Sequence, residues 1–315
     1  MDNSNRFVII TGANSGIGKE AAIRFAMEGY SVIMGCRNLE KSKPVQDEII
    51  TISKNENIYL LEVDMASFSS IKIFCENVKT GFPKLDILIH NAAYFNHGEK
   101  YMLSEDNIEI TFATNVAGPF LMTHLLLEHL QKSDDARILN ASSNIIRHFF
   151  SPKSALDFEN LRGVTSSKYK HSVYTNYRNS KMAFLMLTFR MAEEFKELGI
   201  KVNSLQINGA KMSKDTLKKF KPIWRLIASI QNLLFPAPSF MASHYFDITT
   251  SDKFKDVSGQ QINHKLEAME AGPENTSTKD AWGDKFYPNY ASKKDVTDKV
   301  WNLCREWTGD FLVYN

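Results

Sequence analysis

The chain has 315 residues, 43% hydrophobic and 23% charged, with 38 Lys+Arg against 36 Asp+Glu for a net charge of +2. This is an ordinary globular profile, which excludes disorder, collagen and coiled coil, and a chain of this length buries about 75% of its unfolded surface without disulfide or metal staples. So small a net charge supplies no field for a polyanion, and no nucleic-acid partner is expected.

From the N-terminus, polar residues 1–6 lead into the apolar run Phe7-Val8-Ile9-Ile10. That run is too short for a signal-peptide core or a membrane span, so a cytoplasmic protein is expected. Strands are predicted at 7–11, 31–35, 58–63, 85–90, 136–141, 202–207 and 260–262. Helices are predicted at 17–28, 39–53, 68–79, 105–131, 174–196, 240–249 and 293–307. Short apolar runs alternating with longer amphipathic stretches are the pattern of β-α-β units in a parallel sheet. No repeat or linker interrupts the alternation, so the expected architecture is one α/β domain over residues 1–315. It is a Rossmann-type doubly wound parallel sheet of about seven strands with helices on both faces. Two stretches, 144–173 and 211–238, break the rhythm; insertions at the C-terminal ends of strands are where an open parallel sheet builds its ligand crevice.

The first strand ends in Thr11-Gly12-Ala13-Asn14-Ser15-Gly16-Ile17-Gly18, with a helix following at once. Glycines here let the backbone turn tightly, approach a pyrophosphate and aim helix N-terminal N–H groups at it. The second strand ends at Gly35-Cys36-Arg37, where an NAD site would carry a carboxylate for the ribose 2′-hydroxyl. A guanidinium there pairs with a 2′-phosphate, so NADP(H) is expected, the alternative being a solvated surface arginine.

Tyr177-Arg178-Asn179-Ser180-Lys181 places a phenol and an ammonium at i and i+4 on one helical face. A phenol with an ordinary pKa near 10 exchanges protons poorly at neutral pH. A positive charge about 4 Å away, at an effective dielectric of 20, is worth roughly 4 kcal/mol, or about three pKa units. A second tyrosine and lysine at this spacing, Tyr290 and Lys294, sits in a polar stretch and reads as surface.

With Thr11–Gly18, Asn91, Asn115, Ser143, Tyr177 and Lys181 in this order, the chain resembles the short-chain dehydrogenase/reductase superfamily over residues 6–265. It is most similar to the retinol dehydrogenase, WW-domain oxidoreductase and protochlorophyllide reductase branch. The signs are Gly35-Cys36-Arg37-Asn38, the long spacing of 177 − 143 = 34 residues, the segment Leu156-Asp157-Phe158-Glu159-Asn160-Leu161, and a tail with Val300-Trp301 and Glu306-Trp307-Thr308-Gly309. The resemblance implies Tyr177 as proton donor and acceptor, and Lys181 as the group that lowers its pKa and holds the nicotinamide ribose. It implies Ser143 as hydrogen-bond partner of the substrate oxygen and Asn115 as anchor of a proton-relaying water. Gly12, Asn14, Ser15, Gly16, Ile17 and Gly18 would hold the pyrophosphate and ribose, Arg37 and Asn38 the 2′-phosphate, Asp64 the adenine, Asn91 and Ala92 the adenosine side, and Ser213 the carboxamide. For Asp64, a surface helix cap before Ser67 is the alternative.

The sequence departs from the family pattern at His90-Asn91-Ala92-Ala93, where a methyl replaces a glycine, and at Asn208-Gly209, where a proline is lost and a looser turn is expected. Membrane-anchored relatives carry an apolar N-terminal anchor that residues 1–6 do not match. Cys36, Cys75 and Cys304 are odd in number and lack a C-x-x-C pair, and His124 and His129 stand at i, i+5 with no acid or cysteine beside them, so no disulfide framework and no metal are expected. The apolar segment 223–235 suits a lid over a hydrophobic substrate first, core second, and a membrane-surface patch third.

The expected function is therefore an NADP(H)-dependent oxidoreductase moving a hydride between nicotinamide and a carbonyl or alcohol carbon of a lipophilic ketone, aldehyde or retinoid-like substrate. Homo-oligomers are compatible with it. The alternatives are a C=C reductase using the same residues and a non-catalytic NADPH-binding sensor or scaffold.

Overall fold

The structure is a computed structural model describing residues 3–95, 100–158, 161–162, 171–212, 217–218, 222–274 and 276–312. The first strand, β1 (Phe7–Thr11), is wholly buried, as a parallel strand covered on both faces should be. It lies in a seven-stranded sheet with β2 (Ser31–Cys36), β3 (Ile58–Glu62), β4 (Ile87–His90), β5 (Arg137–Ser143), β6 (Lys201–Ile207) and β7 (Gln261–Ile262). The order is β3-β2-β1-β4-β5-β6-β7 and every pairing is parallel. Chain direction across the sheet reverses between β1 and β4, and the crevice beyond their C-terminal ends is where such sheets bind ligands.

Because strand side chains alternate, the sheet divides its apolar residues between two cores. Val8, Ile10, Val32, Met34, Ile87 and Ile89 pack under α1 (Gly16–Met27) and the later helix α9 (Pro238–Thr250). Ile9, Ile33, Leu88 and Ile138 face the opposite core, which contains residues of α3 (Phe68–Gly81), α5 (Gly118–Leu125), α7 (Val173–Glu194) and α11 (Lys294–Thr308). Between β2 and β3 runs α2 (Leu39–Ser53), capped by Asn38.

The single helix expected over 105–131 is broken. A short α-turn, α4 (Ile110–Phe112), passes through a π-helical turn at Ala113–Ala117 into α5, and α6 (Leu127–Gln131) follows a second break at Leu126. Pro119 explains the first break: it has no N–H for the Asn115 carbonyl four residues back, and its ring crowds that oxygen. Gly118 is required beside it, since a Cβ there would lie 2.2 Å from the Met65 carbonyl oxygen.

The first insertion opens with a 3-10 helix at Asn144–Phe150, and the second contains α8 (Pro222–Leu234). After β7 come a small two-stranded sheet, β8 (Glu270–Ala271) with β9 (Phe286–Tyr287), and between its strands α10 (Thr278–Trp282). Tyr290, expected on the surface, is half-buried instead: it stacks on Phe149 and its hydroxyl accepts a hydrogen bond from the Leu156 N–H at 2.9 Å, tying down the first insertion.

Candidate active site

The glycine-rich turn leads directly from β1 into α1. Gly12 and Gly16 adopt φ of +67° and +56°, the left-handed region that glycine enters without strain. Gly18 is needed for proximity: a Cβ there would meet the Gly12 carbonyl oxygen at 2.4 Å and Asn91 Nδ2 at 2.5 Å. Ser15 stands exposed at the start of α1 and makes no side-chain cap, so the first N–H groups of the helix receive no acceptor from its hydroxyl. Ile17 packs partly against the α1-side core, and Asn14 Nδ2 donates to Ser42 Oγ at 3.0 Å.

Asn91 fastens this turn to the end of β4. Its Nδ2 donates to the carbonyl oxygens of Thr11 (2.9 Å) and Gly12 (3.3 Å), while the N–H groups of Asn91 and Ala92 both donate to Thr11 Oγ1 at 3.0 Å. The remaining Asn91 oxygen accepts from Tyr245 on α9 at 3.1 Å. Tyr245 is fully buried, and burial, followed by the nearby Tyr177, holds its hydroxyl well above the usual phenol range. Nothing in the sequence singled it out: it is one aromatic among several on its helix.

Arg37 is exposed at the C-terminal end of β2 and forms no ion pair among the described residues. Asn38 caps α2, its Oδ1 accepting from Lys41 N at 2.8 Å, a bond that does not use its Nδ2. Asp64 forms a local turn, one carboxylate oxygen accepting from Ala66 N at 2.9 Å, just ahead of the Ser67 cap of α3. The cap of α3 is Ser67 and not Asp64. Ser213 lies outside the described residues.

The second group of residues sits at the C-terminal end of β5 and on α7. Ser143 ends β5, its Oγ accepting from Ile145 N at 3.3 Å, and Tyr177 lies in the second turn of α7. Burial pushes the Tyr177 phenol up to about 12, with the Ser143 hydroxyl opposing the rise. One turn on, Lys181 is buried, its ammonium 5.7 Å from the centre of the Tyr177 ring and donating to the Ala141 carbonyl at 2.7 Å. Burial brings its pKa down to about 8. The expected lowering of Tyr177 by Lys181 is thus absent from the protein's own groups, since the ammonium is directed at the strand and desolvation of the phenol dominates.

Asn115, in the π-turn, clamps three elements. Its Oδ1 accepts from Tyr94 N at 2.7 Å, and its Nδ2 donates to the Tyr94 carbonyl at 3.1 Å and to Ser180 Oγ at 3.0 Å. The side chain therefore fixes the loop after β4 against α7. That loop brings Phe95 onto Tyr177, ring centres 4.3 Å apart, an aromatic wall that no sequence motif announced.

The turn after β6 is not loosened by the loss of proline. Asn208 receives a bond from Gln206 Nε2 at 3.1 Å, donates to His264 Nδ1 at 2.9 Å and to Asp284 at 3.4 Å, and its carbonyl accepts from Asn144 Nδ2 at 3.2 Å. Asp284 also pairs with Arg147 at 3.1 Å. Gly209 follows with φ +145°, and a Cβ on it would strike the Phe235 ring at 2.6 Å. His124 and His129 have structural roles, each ring nitrogen facing a backbone carbonyl, of Phe120 at 2.7 Å and Phe82 at 3.0 Å.

A family model described as short chain dehydrogenase matches residues 6–151. Retinol dehydrogenase 13 from Homo sapiens is 30% identical over 285 residues, spanning 85% of this chain and 80% of that protein. The chain belongs to the short-chain dehydrogenase family. Within it the dehydrogenase falls in the retinol dehydrogenase branch, as an oxidoreductase acting on CH–OH and C=O groups, and the family uses nicotinamide cofactors. Its fold is shared by an uncharacterised protein from Mycobacterium paratuberculosis (TM-score 0.69, 20% identity, 98% of this chain and 95% of that one). It is also shared by a short chain dehydrogenase from Shigella flexneri complexed with NADP (TM-score 0.63, 20% identity, 83% and 97%).

Proposed function

We propose that the protein is an NADP(H)-dependent reductase of lipophilic ketones and aldehydes, with Tyr177 as its acid. The observation that carries this reading is the grouping of Tyr177, Ser143 and Lys181 at the C-terminal end of β5, beside the glycine cradle. The cradle fits a dinucleotide: a Cβ at Gly18 would close it, the start of α1 has no side-chain cap, and Arg37 stands unpaired among the described residues where a 2′-phosphate would lie. Gly12, Asn14, Ser15, Gly16, Ile17 and Gly18 would hold the pyrophosphate and ribose, Asn91 and Ala92 the adenosine side, Arg37 the 2′-phosphate. The Shigella flexneri relative complexed with NADP supports that choice.

When bound, the cofactor supplies the hydride. Tyr177, at about 12, is fully protonated at neutral pH and so is a donor rather than a base, which suits reduction of a carbonyl. Its proton goes to the carbonyl oxygen as that oxygen gains negative charge, and the Ser143 hydroxyl donates to the same oxygen and orients it. The charge of Lys181, one turn away in a buried setting, stabilises the phenolate left behind. Phe95, packed at a tilt on Tyr177, gives the substrate side an apolar wall suited to a lipophilic carbonyl.

The test is NADPH oxidation by the purified protein against lipophilic ketones, aldehydes, quinones and enones, with NADH and the variants Tyr177→Phe and Arg37→Ala alongside. Tyr177→Phe is expected to lose at least about a hundredfold in kcat while still binding NADPH. Arg37→Ala is expected to raise the KM for NADPH about tenfold and leave that for NADH unchanged. Turnover surviving in Tyr177→Phe would overturn the assignment; tight NADPH binding with no turnover on any substrate would favour the non-catalytic reading.

A further inference from the structure

A helix on a protein surface normally buries its apolar stripe and exposes its polar one. In α8 the arrangement is inverted. Ala228 is buried, Asn232 clamps the segment after β6 by accepting from Met212 N and donating to the Met212 carbonyl at 3.1 Å, and Phe235 just beyond the helix packs on Gly209. At about 100° per residue these positions share one narrow face. On the opposite face Leu226, Ile230, Leu233 and Leu234 are 64%, 58%, 79% and 84% exposed. These four are therefore not core, and as placed they do not cover the crevice: turning them inward would break both Met212 bonds and the Phe235 contact.

Along the sequence, the charges from residue 216 to residue 246 have one sign. Between Asp215 and Asp247 the chain carries no carboxylate, but it carries Lys218, Lys219, Lys221 and Arg225. Lys218 and Arg225 are exposed, and the Arg225 guanidinium donates to the Lys218 carbonyl at 2.7 Å, fixing it at the N-terminal part of the helix. Two copies meeting through this face would set cation against cation. A surface that is apolar at the centre and anionic at the rim matches both features, and a bilayer containing anionic lipid is such a surface. The 13 residues of α8 span about 20 Å, short of the roughly 30 Å hydrocarbon thickness, and no helix among the described residues is long and apolar enough to cross a membrane. The helix suits lying in the interface, not spanning it.

We propose that α8 is a membrane-docking helix that seats the protein on bilayers containing anionic lipid, with Leu226, Ile230, Leu233 and Leu234 in the acyl boundary and Lys218 and Arg225 at the headgroups. Docking there places the turn after β6, at the mouth of the crevice, against the lipid. The proposal stands independently of the catalytic reading.

Flotation of the full-length protein with vesicles of phosphatidylcholine plus phosphatidylserine, or phosphatidylcholine alone, tests it. The protein is expected to float with the mixed vesicles, less so at high salt, and weakly with phosphatidylcholine. The pair Leu233→Gln and Leu234→Gln should weaken partition at least about tenfold, and Arg225→Glu about fivefold or more. An unchanged far-ultraviolet circular dichroism spectrum confirms that the variants are folded. Failure to bind the mixed vesicles would overturn the proposal, as would binding that the leucine substitutions leave unchanged. So would a wild-type dimer, seen by light scattering, that the leucine pair dissolves, which assigns the face to a second copy. A leucine pair that leaves flotation intact and raises the KM for a carbonyl would assign the stripe to a lid.

Discussion

Lys181 joins two opposed requirements in one side chain. Its amino group must be charged to act on Tyr177, yet it is buried, and burial brings its pKa from 10.5 to about 8. The unfolded chain binds this proton more tightly than the native protein does, so between pH 8 and 10.5 unfolding takes up a proton and stability rises with pH; below about 8 the cost of the buried charge is fully present. Activity runs the other way. As pH rises through about 8 the charge disappears while Tyr177, at about 12, stays protonated, so kcat/KM for carbonyl reduction should fall above about 8 with Lys181 as the cause. Lys181→Met should therefore melt a few degrees higher at neutral pH, show no rise in stability between pH 8 and 10.5, and lose turnover. Thermal melts across pH beside a pH–rate profile check all three, and a variant that melts lower at pH 7 would show that the bond to Ala141 outweighs the desolvation.

At the scale of elements, the sequence is explicit wherever a site is built by one strand and its following helix. The turn from Thr11 to Gly18 and the pair Tyr177 and Lys181 each lie within one such unit, so spacing carries them. The contributions that sequence spacing hides come from far along the chain: Tyr245 reaches Asn91 across 154 residues, and Asp284 reaches Arg147 across 137. The break in the 105–131 helix was legible in Gly118-Pro119, yet its amphipathic pattern outweighed that signal. The loss of proline at Asn208 read as a looser turn because the groups replacing it, His264 and Asp284, lie beyond β6. Asp284 thus positions the turn after β6 and the Arg147 segment just after Ser143. Asp284→Ala is expected to lower kcat about tenfold with the KM for NADPH unchanged, and Asp284→Asn, which keeps an acceptor for Arg147, should recover most of it. Equal losses in the two variants would place the effect in the charge rather than in the positioning.

At the scale of the molecule, the matched family model ends at residue 151, but the core on the α7 side of the sheet does not. The last helix, α11, closes that core. Trp301 packs edge-on against Phe120 at 5.0 Å and His124 at 5.4 Å, with the Arg190 guanidinium 5.2 Å from its ring centre, and Trp307 meets Phe112 at 5.6 Å beside the π-turn that holds Asn115. The C-terminal segment therefore supports the catalytic layer from behind, on the same face that carries Asn115 and α7. Burial also drives the His124 pKa down to about 4, so the imidazole is neutral at physiological pH and serves as an aromatic packing surface rather than a charge. Trp301→Ala should cost about 3–5 kcal/mol through lost burial and the cavity left behind. Leu234→Ala, on the exposed face of α8, should change stability by no more than about 0.5 kcal/mol. Urea unfolding followed by far-ultraviolet circular dichroism compares the two. A small effect at Trp301 would mean that α11 is a loosely docked appendage and that the catalytic layer stands without it; a large one makes the C-terminal helix part of the folding unit that holds Asn115 and Tyr177 in place.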